Sequence, residues 1–119
     1  MSYIEISKRS FGVHKLPDNI LRISKRTMTV SGNVAERIQT TRYHTKSGSE
    51  ALDLGLAIDV ENKRIKLSTG AVNGFQFRGI GGNNSMTANS PVGLRRSGMP
   101  IGDYLLVGPT ENLEFQLAE

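Results

Sequence analysis

The sequence predicts a mainly β protein: a small barrel, sandwich or intertwined sheet built from hairpins, with one or two short helices. Three observations carry this. Leu56, Ile58 and Val60 alternate with Ala57 and Asp59, and after Glu61-Asn62-Lys63 the residues Ile65 and Leu67 alternate with Arg64, Lys66 and Ser68. That is the pattern of a hairpin with one buried face. Asp103–Val107 and the alternating Leu113, Phe115, Leu117 flank the turn Gly108-Pro109-Thr110-Glu111-Asn112 in the same way. Leu21 and Ile23 face Met28 and Val30 across a short basic stretch, Lys25-Arg26.

Taken in order, residues 2–9 alternate at Tyr3/Glu5 and Ile4/Ile6 and predict a strand, and Pro17-Asp18-Asn19 predicts a turn. Ser31 stands at the N-cap position of a short helix over residues 33–40, whose apolar face is Val34, Ile38 and Ala35. Such a helix is too short to form alone and must be held by tertiary contacts. Residues 40–49 are polar and predict a loop or extended arm. Residues 50–55 predict a single helical turn ended by Gly55. Phe75, Phe77 and Ile80 suggest a further strand. Residues 79–98 lack periodicity, are rich in Gly, Asn and Ser, and predict a flexible loop of functional interest. Such hairpins close most readily into a barrel, a sandwich or an intertwined dimer.

A chain of 119 residues fits one domain, 1–119, with a basic part over 1–48 and a hairpin-rich part over 49–119. The apolar fraction of 37% with no Trp predicts a thin core or one completed by a second subunit, so a homo-oligomer is expected. The absence of Cys excludes disulfides and thiolate metal sites and fits a cytoplasmic protein. Lys8 and Arg9 interrupt the first apolar residues, so no secretory signal is read. No apolar run reaches the length of a membrane span.

Charge is unevenly distributed. Residues 1–48 hold nine Lys/Arg against three Asp/Glu, a balance of +6, whereas 49–119 hold six against eight, a balance of −2. A basic half of this kind suits a polyanion. Ile23-Ser24-Lys25-Arg26 also occurs as Ile6-Ser7-Lys8-Arg9. Two basic turns on equivalent hairpins would align Lys8, Arg9, Lys25 and Arg26 along one edge, extended by Lys15 and Arg22. Cations at this density suit phosphates, and arginine's planar fork also suits guanine edges. Arg95-Arg96 adds a second basic point. The alternative at each place is a solvated turn whose charge protects an edge strand.

Other chemistries find less support. Gly79-Ile80-Gly81-Gly82-Asn83-Asn84-Ser85 lacks the Gly-Lys-Ser/Thr ending of a phosphate loop. His14 and His44 are isolated, with no ligand spacing for a metal. Gly-X-Ser-X-Gly is absent, and Asp53, Asp59 and Asp103 sit in different elements. No catalytic residue, cofactor or metal is therefore assigned, and a non-enzymatic role is expected.

Residues 23–38, ISKRTMTVSGNVAERI, resemble the core of the AbrB/MazE-type swapped-hairpin DNA-binding regulators: a hydrophobic-Ser-Lys/Arg strand, a turn, a second strand and a short helix. Met99-Pro100-Ile101-Gly102-Asp103-Tyr104-Leu105-Leu106-Val107 resembles the downstream Gly-Asp and strand. The chain departs from the pattern at Thr27, where the turn glycine belongs, and at Ser31-Gly32, where a proline precedes the helix. About sixty residues separate helix and Gly102-Asp103, where the family uses a few. The resemblance implies an interlocked dimer gripping DNA, here through Lys25 and Arg26 with Arg22 and Arg37 nearby.

The expected function is thus a small bacterial- or phage-type DNA-binding regulator with double-stranded DNA or another polyanion as partner. Its phosphate contacts would be Lys8, Arg9, Arg22, Lys25, Arg26, Arg37, Arg95 and Arg96. The alternative is an interaction or assembly module that uses exposed strand edges and the 79–98 loop.

Overall fold

Alternation of apolar and polar residues decides most of the fold, and nine strands form among the described residues. The computed structural model describes residues 16–70, 72–79 and 84–118. The strands are β1 (Ile20–Ile23), β2 (Thr27–Val30), β3 (Tyr43–His44), β4 (Glu50–Asp59), β5 (Arg64–Ser68), β6 (Phe75–Gly79), β7 (Met86–Asn89), β8 (Gly102–Val107) and β9 (Glu114–Leu117). Two short helices, α1 (Gly32–Arg37) and α2 (Val92–Arg96), follow β2 and β7. A 3-10 turn, Thr110–Asn112, joins β8 to β9. The expected strand over residues 2–9 lies outside the described residues.

Eight strands close into an antiparallel barrel in the order β4-β5-β9-β8-β1-β2-β7-β6, with β6 returning to β4 and β3 added outside β4. Closure satisfies strand edges that an open sheet would expose. β4 makes it possible: its first half pairs β6 through Ala51–Leu54, and its second half pairs β5 through Gly55–Asp59. Gly74 passes so close that a Cβ there would sit 3.1 Å from the Leu54 backbone. The core draws Leu21, Ile23, Met28, Val30, Leu52, Leu54, Ile65, Leu67, Phe77, Met86, Ala88, Tyr104 and Phe115 from the strands. Val34, Ala35 and Leu94 join from the helices. Burial of each large apolar side chain contributes about 1.5–3 kcal/mol.

The strand pairing carries an internal two-fold. Exchanging β1 with β6, β2 with β7, β4 with β8 and β5 with β9 leaves every pairing of the barrel unchanged. The axis passes where Thr29 faces Thr87 and crosses the β5–β9 pairing on the opposite wall. The Thr29 and Thr87 hydroxyls hydrogen-bond to each other. Thr27-Met28-Thr29-Val30 and Ser85-Met86-Thr87-Ala88 occupy the equivalent strands. Because β2 and β7 run antiparallel, α1 and α2 leave at opposite ends of the barrel.

Three local expectations are corrected. Residues 50–55 are the start of β4, not a helical turn: Leu52 and Leu54 point inward, Asp53 outward, and pairing with β6 overrides helical propensity. The stretch 79–98 contains β7 and α2, which are too short to leave a periodicity in sequence. Ser31 stands at the N-cap of α1 but does not cap it. Its buried Oγ accepts the Ile20 N–H at 3.2 Å and donates to Asn33 Oδ1 at 2.9 Å. Asn33 in turn donates to Asn19 Oδ1 at 2.7 Å, so this polar trio ties the incoming chain to α1.

Candidate nucleic-acid interface

The basic stretch Lys25-Arg26 is a tight two-residue connection between β1 and β2. Neither residue takes a positive φ, so the turn is not the glycine-dependent kind usual for two-residue hairpins. Ser24 and Thr27 clasp it instead. The Ser24 N–H donates to the Thr27 carbonyl at 2.9 Å, and the Thr27 N–H donates to Ser24 Oγ at 3.2 Å. The two hydroxyls lie 2.7 Å apart. This explains how Thr27 replaces a turn glycine. Lys25 and Arg26 are left exposed on a braced tip.

The segment that starts α2 docks on this turn. The Ser90 N–H donates to the Arg26 carbonyl at 2.9 Å, and the Ser90 hydroxyl reaches the Ser24 carbonyl at 3.5 Å. α2 is anchored inward by Leu94, which leaves Arg95 and Arg96 exposed. Ser97 Oγ donates to the Leu94 carbonyl at 2.6 Å and accepts the Met99 N–H at 3.3 Å, fixing the chain as it leaves the helix. Lys25, Arg26, Arg95 and Arg96 therefore share one end of the barrel. Among the described residues, the ion pairs are Arg22–Asp103, Arg42–Glu50 and Lys66–Glu114. None of the four clustered cations takes part.

Arg22 is placed differently. It faces outward on β1 opposite Asp103, which it holds in a forked pair of 2.7 and 3.0 Å. The guanidinium holds the Asp103 carboxyl below the ordinary carboxylate range, and Asp103 raises Arg22 in return. Arg37 lies on α1 at the opposite end, apart from the other cations. Lys8 and Arg9 lie outside the described residues. Arg78 was not foreseen: it is exposed on β6 and opposes Thr87 as Arg22 opposes Thr29. The repeated Thr-Met-Thr/Ser-Met-Thr signature would have signalled that equivalence.

The other titratable residues do not converge. Asp53 accepts a 2.5 Å bond from the Tyr43 hydroxyl, and this bond raises the Tyr43 pKa. Asp59 accepts from the Asn62 side chain at 2.8 Å and its backbone at 3.1 Å, which lowers its pKa. Asp103 belongs to Arg22. Buried Tyr104 donates to the Pro100 carbonyl at 2.6 Å, and its pKa is raised by desolvation. His44 is exposed on β3. Among the described residues, no group of three or more His, Asp or Glu side chains is arranged to hold a metal. Nor is any helix there long and apolar enough to cross a membrane.

Two clefts lie away from the clustered cations. A cleft of about 590 Å³, lined by Glu36, Arg42, Glu50, Asn84 and Met86, opens at the end that carries α1. Another of about 620 Å³ involves Arg37, Thr110 and Glu111 at that end. Neither includes the four clustered cations, which sit exposed on the turn and on α2. In comparisons with known proteins, no family model, no curated protein and no solved structure matches the chain.

Proposed function

We propose that the protein binds double-stranded DNA noncovalently through the end formed by the β1–β2 turn and α2, acting as a small regulator of the bacterial or phage type. One observation carries this reading: Lys25, Arg26, Arg95 and Arg96 share one braced, exposed end without carboxylate partners among the described residues. Unpaired, exposed cations release counterions when they meet phosphates, and that release drives affinity. An exposed hairpin turn suits a groove, whereas a small ligand wants a cavity, and none of the four cations lines a described cleft. The likeness of residues 23–38 to the AbrB/MazE type points the same way, since the grip it implies falls on Lys25 and Arg26. A second copy, also implied by that likeness, would offer a second such end.

The alternative reading, assembly by strand pairing, leans on β3. It is two residues long and has one paired neighbour, in a sheet otherwise closed on itself.

The test is fluorescence anisotropy on a mixed-sequence duplex over a range of salt. Four phosphate contacts predict a slope of log affinity on log salt of roughly −3 to −4. Lys25→Glu/Arg26→Glu is expected to weaken binding by about a hundredfold at moderate salt with melting behaviour retained. A folded protein with no affinity at low salt would overturn the reading.

A further inference from the structure

The braced basic turn is bracketed by two exposed aliphatic side chains. On one side, β8 pairs with β1 through Gly102 opposite Ile23, so Ile101, 65% exposed, emerges beside the turn. On the other, β7 pairs with β2 through Asn89 opposite Thr27, and the chain runs through Ser90, bonded to the turn, into Val92, 51% exposed. Apolar side chains and cations thus share one rim. Both Ile101 and Val92 adjoin residues that are well fixed: the Pro100 carbonyl is held by Tyr104, and α2 is pinned by Leu94.

A polyanion that rewards this arrangement must display apolar groups beside its phosphates. Duplex DNA does so in the major groove, where the thymine 5-methyl projects. That groove, about 12 Å wide, admits a two-stranded hairpin, whereas the minor groove, about 6 Å wide, does not. An anionic lipid surface also combines charge with apolar depth, but it is a plane and would meet the whole end. The β4–β5 tip at that end carries Asp59 and Glu61 against Lys63 and Arg64, so a plane meeting the whole end gains no net attraction from it. A groove engages the β1–β2 turn and its flanks and leaves that tip aside.

We infer that Ile101 and Val92 contact thymine methyl groups in the major groove, giving the protein a preference for thymine-containing sites. This rests on the DNA-binding reading above and adds base contacts to its phosphate contacts.

The experiment replaces every dT of a short duplex by dU, which removes the methyls and leaves the phosphates and Watson–Crick pairing unchanged. The wild-type chain and Ile101→Ser/Val92→Ser are titrated with both duplexes by anisotropy, over a range of salt. Both substitutions are at exposed positions, and a thermal melt confirms that the variant folds. Wild type is expected to bind the dU duplex about fourfold more weakly per methyl contacted. The variant is expected to bind both duplexes equally, at the wild-type level for dU and with an unchanged salt slope. Equal wild-type affinity for the two duplexes would overturn the thymine contact while leaving DNA binding intact. Absence of wild-type binding to either duplex would overturn both readings. Vesicles of phosphatidylserine and phosphatidylcholine, run in parallel, identify the rival: wild-type binding lost in the variant would reassign the two aliphatic residues to a membrane and overturn the proposal.

Discussion

The two ends of the barrel are built from equivalent parts but carry different charges on their helices. Each receives a strand connection, a short helix and the tip of a hairpin, related by the axis between Thr29 and Thr87. At the α2 end, the helix presents Arg95 and Arg96 beside Lys25 and Arg26. At the α1 end, the helix presents Glu36, which accepts from the Asn84 side chain, and Arg37. Arg42 there is consumed internally, donating to the Ala35 carbonyl and to Glu50. The α2 end carries exposed cations with no ion-pair partner among the described residues, beside a β4–β5 tip that holds Asp59 and Glu61; the α1 end holds clefts lined by Glu36, Glu50 and Glu111. The fold therefore determines where helices and turns sit, and side-chain identity on those equivalent positions determines what each end attracts.

Removing the helix anchors breaks this comparison most severely. Leu94→Ala is expected to cost about 2–5 kcal/mol, as large-to-small core changes do. Val34→Ala, at the other helix, removes less volume and is expected to cost less. Chemical denaturation of both variants gives the ranking. A Leu94→Ala loss below 1 kcal/mol would mean that α2 is not pinned to the core as described.

Charge reversal separates the ends functionally. Lys25→Glu/Arg26→Glu is expected to weaken DNA binding by about a hundredfold at moderate salt and to flatten the salt slope by about 2. Arg37→Glu, at the other end, is expected to change affinity less than about threefold, through long-range charge alone. Equal losses from both would place the DNA across the whole barrel and not at one end.

The contrast also explains what the sequence could disclose. The hairpin β4–β5 was legible because five residues alternate on each side of a turn, and β8–β9 because a short apolar run and an alternating stretch flank Gly108-Pro109. β1 and β2 were legible for the same reason, and α1 was placed within a few residues by Val34, Ala35 and Ile38. β7 and α2 were not legible. Met86-Thr87-Ala88-Asn89 lacks β-branched bulk apart from Thr87, and a five-residue helix shows barely one turn of periodicity. Lys25, Arg26, Arg95 and Arg96 were found as cations by composition. That Arg95 and Arg96 sit with Lys25 and Arg26 depends on Ser90 hydrogen-bonding to a turn 64 residues earlier in the chain, from Arg26 to Ser90, which local pattern does not encode. The barrel's closure likewise depends on β4 serving two partners from opposite edges.

A smaller effect tests whether the turn's bracing matters. Ser24→Ala removes the acceptor for the Thr27 N–H and the hydroxyl contact with Thr27. Loss of a partly buried local hydrogen bond of this type is expected to cost about 1 kcal/mol. If bracing holds Lys25 and Arg26 for DNA, affinity also falls a few-fold; if stability drops with affinity unchanged, the turn is free to adapt on binding.

The smallest effect concerns Arg22–Asp103, which has no counterpart across the axis: Arg78, equivalent to Arg22, faces Ala51 where Arg22 faces Asp103. The Asp103 pKa is depressed by the Arg22 hydrogen bond, so its contribution to stability is fully present above the unfolded carboxylate value, near 3.9, and is lost as pH falls through the lower folded value. The pair is substantially exposed, with side chains at 44% and 35%, so solvent screening limits it to a few tenths of a kcal/mol. Asp103→Asn should therefore be slightly less stable than wild type at neutral pH and should match it once acid has protonated Asp103 in the native chain. Equal stability at neutral pH would show that the forked pair contributes nothing net to folding. Asp103→Asn also releases the Arg22 guanidinium, so a rise in DNA affinity in that variant would show that Arg22 can join the phosphate contacts, and unchanged affinity would show that it does not.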